Sequence, residues 1–301
     1  MSSFLHQQRT SGARDEPTDG GVACRTCGDT RRIVRAEGLW ARALPCPACV
    51  TPCTVCNGAG VLLKTDWTGQ LVSRPCPCFV ESRNLRRFNE ALIPRRYVEA
   101  DLLRFDDRGI PSLQDAKVAL VQLAHGFQAG RRGVGLSGPT GSGKTHLLAA
   151  LARHLTLEHG VEVRMVEFTH LLGDLRARYE RGESTAALLD DLVRVPLLIL
   201  DELGKGGHTE WQLGILDELI SRRYNLDVTT CFATNHPFFE ATERWDRGAR
   251  SQGQSYDAIL LAQRIGERIF SRLCEMCDLI RIDAPDWRQE RQRDAGRPTS
   301  R

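Results

Sequence analysis

From residue 112 onward, short apolar runs alternate with segments of helical period. Strands are predicted at 133–137, 161–167, 196–200, 229–233 and 279–282. Helices are predicted at 112–128, 144–158, 169–181, 209–224 and 263–273. The run at 196–200 is apolar throughout, as a strand buried on both faces requires. Such alternation implies an α/β fold with a central parallel sheet covered by helices on both sides. A basic, amphipathic helix is predicted at 79–92, ended by Ile93-Pro94. Residues 1–22 and 289–301 are polar and patternless, and read as disordered tails. The predicted organisation is therefore tail (1–22), cysteine-rich region (23–80), linker helix (81–98), nucleotide-binding domain (99–288) and tail (289–301).

The turn between the strand at 133–137 and the next helix carries specific chemistry. It reads Gly138-Pro139-Thr140-Gly141-Ser142-Gly143-Lys144-Thr145, a complete phosphate-binding loop in the strand–loop–helix context it needs. Glycines let backbone N–H groups face inward onto phosphate oxygens, and the helix start adds its dipole. Lys144 would reach the β- and γ-phosphates of ATP, and Thr145 would hold Mg²⁺. The apolar strand that follows, 57 residues beyond the lysine, ends in Asp201-Glu202. Asp201 would bind the Mg²⁺ shell and Glu202 would polarise the attacking water. The run 229–235 ends in Asn235, placed to hydrogen-bond the γ-phosphate or that water.

Eight of the eleven cysteines fall within 24–78. Cys24-x2-Cys27 and Cys46-x2-Cys49 are separated by eighteen residues, a zinc-ribbon-like spacing. Cys53-x2-Cys56 and Cys76-x-Cys78 follow at offsets of 29, 29, 30 and 29, which reads as a tandem duplication. Gly or Pro marks a tight turn at each pair, so four thiolates could share one tetrahedral Zn²⁺, giving two zinc ions in all. The closing Cys-x-Cys departs from the usual spacing, and ligand pairing across the two groups stays open. A disulfide framework is the rival; an ATP-binding fold without a secretion signal disfavours it. Trp40 and Trp67 occupy similar places in the two loops, to cover a zinc core or to stack on bases. Cys274-x-x-Cys277 has no second pair and reads as core thiols.

Composition narrows the class further. Of 301 residues, 26% are charged and 41% hydrophobic, and no run of about 18 apolar residues offers a membrane span. The first residues show no signal peptide, so a cytoplasmic location is expected. A net charge of +3 gives a weak overall field, so nucleic-acid binding would need local basic patches. The helix at 169–181 offers one: Arg176, Arg178 and Arg181 with Tyr179, able to follow a DNA backbone and stack a base, or to form a solvated face. Arg268 and Arg272 share one helix face, from which either could reach a neighbouring subunit's ATP. Arg288 could act on its own subunit's nucleotide.

These motifs occur in a specific order: Ile93-Pro94-Arg95-Arg96-Tyr97, the loop at 138–145, Leu200–Gly204, Arg223-Tyr224, Thr234-Asn235, Gly266–Arg272 and Asp286-Trp287-Arg288. Over roughly residues 93–288 the chain resembles the DnaC/IstB-like branch of AAA+ ATPases. The resemblance implies Arg272 as an arginine finger acting in trans and Arg288 as a second sensor. It implies sheet order 5-1-4-3-2 and little or no separate C-terminal lid. Members of that branch load a replicative ring helicase onto single-stranded DNA, or assist a transposase on double-stranded DNA. The expectation is therefore a homo-oligomeric, Mg²⁺-dependent ATPase that loads a helicase, with a transposition helper as the alternative. For a loader, the cysteine-rich region would be the element that docks the helicase.

Overall fold

A computed structural model describes residues 24–49, 53–57, 59–206, 209–240 and 259–289 of the chain. The tails expected at 1–22 and 289–301 lie outside these residues, apart from Gln289. Two antiparallel hairpins come first. Strands β1 (Arg32–Glu37) and β2 (Trp40–Pro45) form one, and β3 (Val61–Thr65) and β4 (Leu71–Pro75) the other. Sequence pattern suggested only the cysteine turns here, because the strands have only five or six residues and their polar and apolar positions do not alternate strictly.

Helix α1 (Pro77–Glu90) begins two residues earlier than expected, with proline in its first turn, where a missing N–H costs nothing. It is not a spacer. Asn84 donates to the Leu157 carbonyl at 3.0 Å and Arg87 pairs with Glu162 at 2.9 Å, so α1 lies on the body of the nucleotide-binding fold. A single 3-10 turn, Arg95–Tyr97, leads on to α2 (Pro111–Ala124).

The α/β body then runs β5 (Gly133–Ser137), α3 (Lys144–Glu158), β6 (Val163–Glu167), α4 (Phe168–Glu180), α5 (Ala186–Arg194), β7 (Leu197–Asp201), α6 (Glu210–Asn225), β8 (Thr229–Thr234), α7 (Leu261–Ile265), α8 (Glu267–Met276) and β9 (Cys277–Arg281). All five strands are parallel, in the order β6-β7-β8-β5-β9. Numbered within the sheet and read from the other edge, this is the expected 5-1-4-3-2.

Alternate strand residues feed two cores. Leu197 and Ile199 join α1, α2 and α3 on one face; Leu198 and Leu200 join α4 to α8 on the other. Helix α3 is buried nearly all round, which explains its run of Leu and Ala. Among the described residues no helix is long and apolar enough to cross a membrane.

Three expectations need correction. The helix expected at 263–273 is two helices, because Gly266 at φ +91° breaks it and caps α8. The last strand starts at Cys277 rather than 279, so Cys277 is a fully buried strand thiol, while Cys274 is only half-buried. Helix α5 was not expected, although Leu189, Leu192 and Val193 bury one face at helical spacing.

Candidate nucleotide site and cysteine clusters

The loop between β5 and α3 sits at the carboxyl end of the sheet, where open parallel sheets bind ligands. Gly141 at φ +80° and Gly143 at φ +96° adopt backbone that other residues resist. A side chain at Gly141 would also strike Asp286, its Cβ only 1.9 Å from Oδ1. That contact, with Trp287 N–H donating to Gly141 O at 3.3 Å, lets segment 282–288 buttress the loop from behind. Trp287 is covered in turn by the Arg108 guanidinium, 3.3 Å from its ring centre.

Lys144 is buried, and its Nζ donates to the carbonyls of Gly138 (2.8 Å) and Pro139 (2.7 Å) and to Ser142 Oγ (3.4 Å). Burial pushes its ammonium down to about 8, against the pull of Asp201 and Glu202; the charge of Arg288 lowers it further. An anionic oxygen in place of those carbonyls would be a stronger acceptor. One residue on, Thr145 Oγ1 donates to Asp201 Oδ1 at 3.0 Å, joining the helix start to the end of β7. Burial pushes Asp201 up to about 6, opposed by the Thr145 hydroxyl. A hydroxyl and a carboxylate oxygen in contact, beside a phosphate cradle, suit a hard cation such as Mg²⁺.

Glu202 follows in left-handed backbone, φ +54°. Its carboxylate pairs with Lys205, which also reaches Glu167 at the end of β6 at 3.4 Å. Leu203 N–H bonds the Ala233 carbonyl, bringing the ends of β7 and β8 together and setting exposed Asn235 next to this corner. Arg288 is exposed, its N–H on Asp286 Oδ1. Arg272 stands apart from this group, on α8. Its guanidinium is held by Asp217 of α6 at 3.0 Å, and Arg268 reaches the same carboxylate at 3.5 Å.

Residue types and spacing did not single out Tyr97, Glu167 or Lys205 for this site. Tyr97 stands edge-on to His146 with ring centres 6.0 Å apart, directly over the start of α3. Burial pushes its phenol up, and the nearby Asp201 charge adds to this while the Thr145 hydroxyl opposes it. Glu167 had a legible signal, an acid ending an apolar strand; Lys205 had none. The arginines of α4 and its C-cap Arg181 are paired rather than bare: Arg176 with Glu180 at 3.0 Å, Arg181 with Glu183 at 2.6 Å and Arg178 with Glu183 at 3.8 Å.

The eight amino-terminal cysteines gather into two groups, Cys24/Cys27/Cys46/Cys49 and Cys53/Cys56/Cys76/Cys78, with no crossing between them. All eight thiols are free. Within each group the four sulfurs lie within 4.8 Å of one another, with contacts of 3.9 and 3.5 Å in the first and 3.7 and 3.4 Å in the second. A tetrahedral Zn²⁺ with bonds of about 2.3 Å would set its sulfurs about 3.8 Å apart, so both groups can hold zinc. The thiols are also electrostatically unequal. N–H groups of Cys27 and Thr26 hold Cys24 down at about 6, whereas the Cys56 and Cys76 sulfurs push Cys78 up to about 12. A shared cation would let all four ionise together.

The irregular Cys76-x-Cys78 has a structural cause. Cys76 is the N-cap of α1 and Cys78 lies in its first turn, so a helix start replaces the second knuckle. Trp40 lies where the first hairpin meets Pro94, whereas Trp67 is 96% exposed and covers no core.

The model of the family "IstB-like ATP binding protein" matches residues 81–295. The replicative helicase loader DnaC of Escherichia coli K12 is 31% identical over 108 residues, covering 36% of this chain and 44% of that protein. A putative insertion sequence ATP-binding protein of Sinorhizobium fredii is 34% identical over 140 residues, covering 46% of this chain and 44% of its own length. This chain thus spans well under two thirds of these curated relatives. The crystal structure of the DnaC helicase loader superposes with a TM-score of 0.53 at 26% identity, covering 63% of this chain and 99% of that one. With a phosphate-binding loop, an acid-tipped neighbouring strand and this sheet order, the fold is that of an AAA+ P-loop protein, and the chain belongs to the family of IstB-like ATP-binding proteins.

Proposed function

We propose that this protein is an ATP-hydrolysing helicase loader that acts on single-stranded DNA. The observation that carries the reading is the contact of Thr145 with Asp201 beside buried Lys144, with Glu202 next along the chain. Lys144 would exchange its carbonyl partners for the β- and γ-phosphates. Thr145 and Asp201 would hold Mg²⁺, which neutralises phosphate charge. Glu202, released from Lys205, would orient the lytic water, and Asn235 would hold either that water or the γ-phosphate. Arg288 would approach the nucleotide from its own subunit. Arg272 would leave Asp217 and enter a neighbouring subunit's site on assembly, so the active form would be a homo-oligomer.

Loading is supported by the solved DnaC chain, which superposes over 99% of its length with a TM-score of 0.53; the curated DnaC and insertion-sequence relatives are each covered over 44% of theirs. The family's description and the insertion-sequence relative support the second reading, a transposase helper on double-stranded DNA. Exposed Tyr179 with Arg176, Arg178 and Arg181 supports a single-stranded track: exposed ion pairs hold weakly, at about 0–1 kcal/mol, and phosphates can displace the glutamates.

The test is complex formation by the full chain with ATP, against the same host's purified replicative helicase and against a transposase encoded beside it. Stable sedimentation with the helicase alone is expected. Association with the transposase alone would replace the loader reading by the second.

A further inference from the structure

The two cysteine hairpins share one plan and differ in what covers them. In an antiparallel ladder, residues alternate between those bonded across the pair and those facing out. In the first hairpin Ala41 and Ala43 face the free edge of β2, and this chain fills that edge. Ala41 N–H bonds the Ile93 carbonyl at 2.8 Å, while the Asn89 carboxamide bonds both N–H (2.8 Å) and C=O (3.1 Å) of Ala43. Their side chains are buried in one cluster with Leu85 and Phe88 of α1 and with Ile93. The first hairpin is thus a receptor for an amphipathic helix, and α1 is its ligand.

By the same ladder, Leu71 and Ser73 are the second hairpin's equivalents of Ala41 and Ala43, and Leu63, opposite Ser73, that of Val34. Here the surface lies open: Leu71 is 72% exposed and Leu63 68%. Beside them a rigid turn holds Trp67 outward at 96% exposure. Asp66 Oδ1 makes that turn by accepting from Thr68 N–H (2.8 Å), Thr68 Oγ1 (2.6 Å) and Gln70 N–H (3.0 Å). An exposed Trp between two Leu on an open strand edge is what interfaces select. Charge excludes nucleic acid as the occupant. Strand alternation puts Val61, Leu63, Leu71 and Pro75 on this face and both cations, Lys64 and Arg74, on the other. A phosphate backbone laid on this face would meet neither of the hairpin's own cations.

The geometry points to a docking site on the second hairpin for an amphipathic helix of the ring helicase, seated on Leu63, Trp67 and Leu71 as α1 is seated on the first. This assignment rests on the loader reading and gives the cysteine region two jobs. One hairpin is fastened to the ATPase and its duplicate is offered to the partner.

Trp67→Ala and Leu63→Ser/Leu71→Ser in the full chain test it, against the host's purified ring helicase, a fluorescent oligo-dT and the protein alone. Trp67 touches no core, so its variant will keep wild-type zinc content and basal ATP turnover. The helicase dissociation constant is expected to rise on the order of 10- to 100-fold in both variants, the loss typical of a buried aromatic anchor. Oligo-dT binding and self-association are expected to stay unchanged. Wild-type helicase affinity in Trp67→Ala would overturn the docking site and leave the loader reading standing. Selective loss of oligo-dT binding would make this a nucleic-acid surface, and loss of self-association a contact between copies; either overturns it. A wild-type protein that binds no helicase would sink the loader reading and the docking site together.

Discussion

Glu202 carries the reaction in this account, and its surroundings hold it back. A non-glycine residue at φ +54° costs about 1–2 kcal/mol, and such strain gathers at working sites. The carboxylate is also tied to Lys205, which draws on Glu167 as well. A glutamate oxygen held by an ammonium is not free to orient the lytic water. Lys205→Ala should therefore raise basal ATP turnover by about two- to fivefold, the equivalent of an exposed pair worth up to about 1 kcal/mol. Glu202→Gln should keep nucleotide binding and lose roughly 10²–10⁴ in rate, with or without Lys205. Steady-state turnover of the two single variants and the double checks this. A fall in Lys205→Ala would make the lysine part of the catalytic apparatus. The loop residues and Asp201-Glu202 were legible because their chemistry lies in contiguous sequence. Lys205 and Tyr97 were not, because only the turn after β7 and the return of the Arg95–Tyr97 turn over α3 bring them there; Glu167, an acid ending a strand, could have been read, and the pairing of β6 with β7 sets it beside Asp201.

At the scale of elements, the continuously apolar strands and the helices after them were readable because burial on both faces leaves no other pattern. The sheet order followed from family resemblance, not from periodicity. What escaped was short or interrupted. Helix α5 has nine residues, the hairpin strands have five or six without strict alternation, and Gly266 splits a helix whose pattern runs straight through it. The second cysteine group shows how elements share work: the start of α1 supplies Cys76 and Cys78, and its dipole opposes the upward push of the neighbouring sulfurs on Cys78. Elemental analysis should find two zinc ions per chain in unoxidised protein. Cys78→Ser should leave about one, with the second hairpin losing amide protection and the first keeping it. A wild-type value near zero, or an unchanged two in the variant, would contradict the zinc assignment.

Across the whole molecule, a packed path joins the cysteine region to the candidate nucleotide site. The first hairpin holds Pro94 and Arg95 through Trp40 and Leu39. The next turn carries Tyr97 over α3, beside the Thr145–Asp201 contact. A change at the phosphates therefore has a contiguous route to the first hairpin and, through α1 seated on it, to the second cysteine group that α1 begins. The claim at stake is that ATP at this site drives a ring helicase onto DNA. Its most direct measurement is helicase transfer onto a closed circle of single-stranded DNA, read as unwinding of an annealed strand, with helicase, ATP and either the wild-type chain or Lys144→Ala. The account predicts unwinding that depends on the wild-type chain and is lost with Lys144→Ala. Unwinding equally fast without the protein, or with Lys144→Ala in its place, would contradict it.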